Sequence, residues 1–174
     1  MRRSILVLLL ALTRCATSPD PFATTASPPF DPLGFFTGHV HSWGVIEDRG
    51  GAPTGIVQTD CQGTRSADGS LKLMQHLALP DGKTQERDWT MRQTGPATYE
   101  ATANDMVGPT QGVVSGPSLH WTWTWARSPG NPLANLTMDQ WMYRLPDGAV
   151  MIRTTISKLG ITLAEVSEQF VHTN

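Results

Sequence analysis

The sequence predicts an all-β domain, an antiparallel up-and-down barrel of about ten strands, and three observations carry that prediction. Asp-Gly pairs at 68–69, 81–82 and 147–148 sit between apolar segments, and Asp-Gly supplies the positive φ angles that let a tight turn match the twist of a hairpin. Leu119, Trp121, Trp123 and Trp125 alternate with His120, Thr122, Thr124 and Ala126, the period of two that gives a strand one apolar face and one mixed face. The 174 residues include 16 Gly and 13 Pro, a composition of many turns between short segments that argues against a helical bundle. Ten sequential strands in one flat sheet would leave two exposed edges, which closure removes. A two-sheet β-sandwich is the alternative.

The elements follow in order. Residues 1–14 read as a signal peptide: Arg2 and Arg3 are cationic, Ile5 to Leu12 is an apolar run of eight, and polar residues with prolines come next. No apolar stretch reaches the roughly 18 residues of a membrane-spanning helix. Cys15 closes Leu12-Thr13-Arg14-Cys15, which resembles the lipobox of bacterial lipoproteins, where the thiol is acylated and the cysteine becomes the new N-terminus. Arg14 stands where that motif has a small residue, so plain secretion or an uncleaved anchor remains the other reading. Residues 15–33, with five prolines among Ala, Ser and Thr, are expected to be the lipidation site and a semi-extended tether. A single barrel domain then covers 34–174.

Strands are expected near 38–47, 54–64, 70–79, 84–93, 97–103, 110–116, 118–126, 136–145, 149–158 and 161–171, with no strong helix between them. Leu71, Leu73, Leu77 and Leu79 make one stripe, and Val150, Ile152 and Ile156 alternate with Arg153, Thr155 and Ser157, as in a sheet with unlike faces. Gly108, Gly112 and Gly116 recur every four residues without a following Gly-Lys-Ser/Thr, so bends or bulges fit them better than a phosphate cradle. The net charge of −2 and the lack of a Lys/Arg cluster give nucleic acid no electrostatic footprint. Loss of the first fourteen residues would remove three Arg and no acid, leaving a balance of −5. Two cysteines exclude a disulfide framework, and Cys61 is expected to pack as a small core residue.

Several motifs then resemble one family. They are Phe35-Phe36-x-Gly38 with Ser42-Trp43-Gly44-Val45-x-x-Asp48-Arg49-x-Gly51, then Asp81-Gly82-Lys83-Thr84-Gln85-x-Arg87-x-Trp89, then Tyr99-Glu100-Ala101-Thr102-Ala103-x-Asp105-x-Val107-Gly108. Gly112, Gly116, Asp139-x-Trp141-Met142-Tyr143 and Lys158-x-Gly160-x-x-x-x-Glu165-Val166 complete the series. Over roughly residues 35–170 the chain resembles the proteobacterial lipoproteins of domain of unknown function 3833. That resemblance implies an exported lipoprotein with a calycin-like, lipocalin-like body and genes set among lipid-modifying functions, but no defined reaction. Ile152, where the family more often has Asn, is a departure.

The candidate ligand-binding residues are Arg87, Trp89, Trp121, Trp123, Asp139, Trp141, Tyr143 and Arg153. An inward cation in an apolar cavity meets carboxylate or phosphate headgroups, while structural pairs such as Arg87 with Asp139 or Arg153 with Asp105 satisfy the same charges. The tryptophan stripe lines a pocket or fills the core. His39-x-His41 places two imidazoles on one strand face without further ligands at a recognisable spacing, so ordinary strand histidines are expected rather than a metal site. Asp48-Arg49 reads as a turn-fixing pair. No cofactor motif, nucleotide fingerprint or nucleophile elbow occurs, and no catalytic residue is assigned. The favoured function is a periplasm-facing, membrane-anchored protein of the bacterial cell envelope that binds or carries a hydrophobic or amphipathic small molecule such as a lipid. The alternatives are an enzyme on a lipid-like substrate, with Asp105 or Asp139 moving a proton and Arg87 or Arg153 stabilising an anion, and a noncatalytic envelope factor with a protein partner.

Overall fold

A computed structural model describes residues 28–173. The expected signal segment at 1–14 and Cys15 lie outside the described residues. Ten strands follow one another around a closed antiparallel barrel: β1 (Gly38–Asp48), β2 (Pro53–Arg65), β3 (Leu71–Ala78), β4 (Thr84–Gln93), β5 (Thr98–Ala103), β6 (Thr110–Ser115), β7 (Ser118–Trp125), β8 (Leu136–Arg144), β9 (Val150–Lys158) and β10 (Ile161–His172). β10 pairs with both β9 and β1, from Val40↔His172 to Asp48↔Ala164, which rules out the sandwich. The fold is therefore the closed up-and-down barrel expected from the alternation and the Asp-Gly turns. Gly69, Gly82 and Gly148 carry φ of 82°, 79° and 93°, the backbone those turns require.

Up-and-down order sends alternate turns to opposite ends of the barrel. At one end the turns after β2, β4, β6 and β8 surround a plug of Phe30, Leu33, Phe35 and Phe36, all at most 6% exposed. Asp31 caps its short helix α1 (Pro32–Phe35): its side chain accepts from the Gly34 amide at 3.0 Å, with Pro32 at the first helical position. Phe30 N donates to Gly116 O at 2.8 Å. Gly63 of β2 lies so close to the Phe36 carbonyl that a methyl group there would overlap it. The expected tether boundary at 33 is corrected accordingly: Phe30, Pro32 and Leu33 are core residues, because three closely spaced apolar side chains gain more by closing the barrel end than by solvation.

At the other end the turns after β1, β3, β5, β7 and β9 frame a mouth. Register shifts at Ile46/Glu47 on β1 and Thr162/Ala164 on β10 lie there, as bulges at barrel rims commonly do. The turn after β7 includes a 3-10 turn, Pro132–Ala134, which with α1 makes the short helical content of the described residues.

Candidate functional site

The inner faces of the strands converge on a cavity of about 250 Å³ that opens at the mouth. Phe36, Met142 and Phe170 form its floor, and Ile46, Leu79 and Trp125 stand near the opening. The wall is built from a pairing pattern: Trp121 sits opposite Gln140 on β8, and Trp89 opposite Leu73 on β3. Trp89 and Trp121 stack at 5.7 Å between ring centroids and 8° between planes, while Trp123 meets Trp89 edge-on at 5.3 Å. Gly112 on β6 faces Trp121; an added methyl would approach the ring at 3.1 Å.

Polar groups inside this wall are mostly partnered. Trp89 Nε1 donates to Gln75 Oε1 at 3.0 Å, Trp121 Nε1 donates to Gln140 Oε1 at 2.6 Å, and Gln140 Nε2 donates to Thr154 Oγ1 at 3.0 Å. Trp123 Nε1 is buried with no hydrogen-bond partner among the described residues. Arg87 projects from β4 with its guanidinium 4.8 Å from the Trp123 ring centroid, a cation–π distance. Its Nε and Nη2 donate to Asp105, in the loop after β5, at 2.8 Å each, and Gln85 Nε2 donates to the same carboxylate at 2.9 Å.

Glu168, on the inner face of β10, is the second charged residue of the lining. Ser42 Oγ and Thr59 Oγ1 both donate to its Oε1, each at 2.9 Å. Burial pushes its carboxyl above the usual range, against the downward pull of the two hydroxyls and of Arg87. Cys61 on the neighbouring strand is a buried free thiol raised to about 12, first by burial and then by Glu168, which makes it an inert core group rather than a nucleophile.

Half of the sequence-predicted site residues reach this cavity: Arg87, Trp89, Trp121 and Trp123. The other half do not. Met138, Gln140 and Met142 take the inner face of β8, so Asp139, Trp141 and Tyr143 point outward. There His120 Nε2 lies 3.2 Å from Asp139 Oδ2, Thr122 Oγ1 donates to Asp139, and Trp141 stacks between His120 at 4.2 Å and Tyr143 at 6.1 Å. Arg153 is likewise on the outside, paired with Glu165 of β10. The expected ion pairs are corrected with it: Arg87 pairs with Asp105 and Arg153 with Glu165, because both partners of each pair share a face. The acid–cation set assigned to catalysis is split the same way, Asp139 and Arg153 outside and Asp105 locked to Arg87. His39 and His41 point outward and share Asp60, at 3.6 and 2.7 Å. Asp48 fixes its turn by accepting from the Gly50 and Ala52 amides, not by pairing with Arg49. Glu168, which sequence reasoning missed, sits between Val166 and Phe170 in the period-two pattern of β10; those two apolar neighbours mark its side as inward.

Among solved structures, the barrel is similar to "Structure of S-type Phycobiliprotein Lyase CPES from Guillardia theta", with a TM-score of 0.62, 7% sequence identity, and coverage of 82% of this chain and 90% of that one. At that identity the likeness is one of fold. A search of curated proteins finds no match. The family model described as "Protein of unknown function (DUF3833)" matches residues 9–172, so the chain belongs to that family.

Proposed function

We propose that this barrel is a binding or carrier protein for one hydrophobic or amphipathic small molecule, a lipid or a molecule of lipid-like polarity. The observation that carries the reading is the open cavity of about 250 Å³ lined by four tryptophans, a concave apolar site with a few fixed polar groups of the kind that small molecules occupy. At roughly 30 Å³ per water-sized group, it accepts about eight non-hydrogen groups, one acyl tail or one flat ring system. Burying eight methylenes is worth about 6 kcal/mol before association costs. The barrel of a phycobiliprotein lyase has the same architecture, which supports the reading at the level of fold. The apolar run before Cys15 supports export and a lipid anchor in the bacterial envelope, with the cavity on the periplasmic side.

Mass spectrometry of protein extracted gently from its native envelope tests all of this. A retained apolar molecule, an acylated Cys15 at the mature N-terminus, and quenching of tryptophan fluorescence by an apolar probe are the expected results. An empty protein whose tryptophans respond to no apolar probe would defeat the binding reading, and an intact leader would defeat the lipid anchor at Cys15.

A further inference from the structure

We infer that the molecule bound here carries a cationic or hydrogen-bond-donating polar group, an amine in the simplest case, that docks on Glu168, and is not a free fatty acid or a phosphate ester. This rests on the cavity being a binding site and adds the chemistry of its occupant. Arg87 is the obvious receptor for an anionic headgroup, but Asp105 already takes its Nε and Nη2, and Gln85 closes the other side of that carboxylate. Arg87 and Asp105 cancel. Glu168 then remains as the acid of the lining without a cationic partner, its carboxyl raised by burial; an entering cation favours the ionised form and pairs with it, whereas an anionic headgroup gains nothing from either form and is repelled by the ionised one.

The carboxyl is also built to present one oxygen. Ser42 and Thr59 both donate to Oε1, and among the described residues Oε2 accepts nothing. Glu168 lines the cavity, so this oxygen is open to it and within reach of a ligand N–H or O–H. Space for this side chain is cleared from the facing strand: Gly44, the register partner of Glu168, has room for no methyl group, which would overlap the Glu168 side chain and approach Ser167 O at 2.7 Å. The groups facing Glu168 are Ser42 from β1, Thr59 and Cys61 from β2, Ile152 from β9 and Arg87 from β4, so no second acid competes for the donor.

Decylamine, decanol and decanoic acid, titrated below their micelle concentrations at pH 7 with tryptophan fluorescence as the readout, decide the matter. The wild-type barrel is expected to bind the amine at least tenfold more tightly than the acid, with the alcohol between. Glu168→Gln, which keeps the volume and can still accept from Ser42 and Thr59, is expected to erase that tenfold gap while binding the alcohol as before. Acid binding as tight as amine binding, or an unchanged ranking in Glu168→Gln, overturns the inference and leaves the cavity reading standing. Failure of all three probes to bind removes the cavity reading itself. Should the variant not fold, the wild-type ranking decides alone.

Discussion

Two ion pairs of the same chemical type show how position sets the energetic role of a residue. Arg87 and Asp105 are 9% and 17% exposed, Arg153 and Glu165 57% and 30%. Removing one partner of the enclosed pair strands the other in a poorly solvated site, so Arg87→Ala is expected to cost about 3 kcal/mol in denaturant unfolding. Arg153→Ala, beside water, is expected to cost less than about 1 kcal/mol. Equal losses would mean that the enclosed pair is far better hydrated than its packing against Trp123 implies. Glu168 makes a prediction about pH. Its folded-state carboxyl binds a proton more readily than the unfolded one, so its contribution to stability is fully present below the ordinary glutamate range and is lost as pH rises through the elevated folded value. Thermal melts of the ligand-free protein across that window should fall with pH, and Glu168→Gln should flatten this part of the curve. A variant with the wild-type slope would place the titration elsewhere.

At the scale of elements, the strands were legible and the site was legible only in part. Asp-Gly turns and the β7 alternation are local signals, and they located ten strands because nothing in a hairpin depends on distant sequence. The facing of β8 was not local. Met138, Gln140 and Met142 compete with Asp139, Trp141 and Tyr143 for the inner side, and both sets are large and partly apolar. What decides is the register with β7, which sets Gln140 beside Trp121 and Trp141 beside His120; a stretch with two plausible faces cannot reveal that register by itself. The plug was missed for a different reason. Phe30 to Leu33 read as the end of a proline-rich tether, and their burial depends on a barrel end that exists once all the strands are assembled. Phe36 is both plug and cavity floor. Phe36→Ala is expected to lower stability by roughly 3–5 kcal/mol and to deepen the cavity, shifting preference toward longer chains in a probe series. A shortened optimum would show that the barrel collapses into the space instead.

The whole molecule is closed by its last element. β10 seals the barrel by pairing with β1 across about 130 residues of sequence and supplies Glu168 and Phe170 to the interior. Such a contact is late to form, since the loop entropy of the entire chain precedes it. A version ending at Gly160 leaves β1 and β9 as bare edges. It is expected to elute as aggregate in size-exclusion chromatography, and a monomeric, folded product would show that nine strands can reclose. The plug has a separate consequence. With Phe36 across one end and the loops apart at the other, the barrel is a cup and not a tube. Any guest must leave through the doorway by which it arrived, and one too long to be swallowed whole keeps its outer end within reach of whatever receives it next.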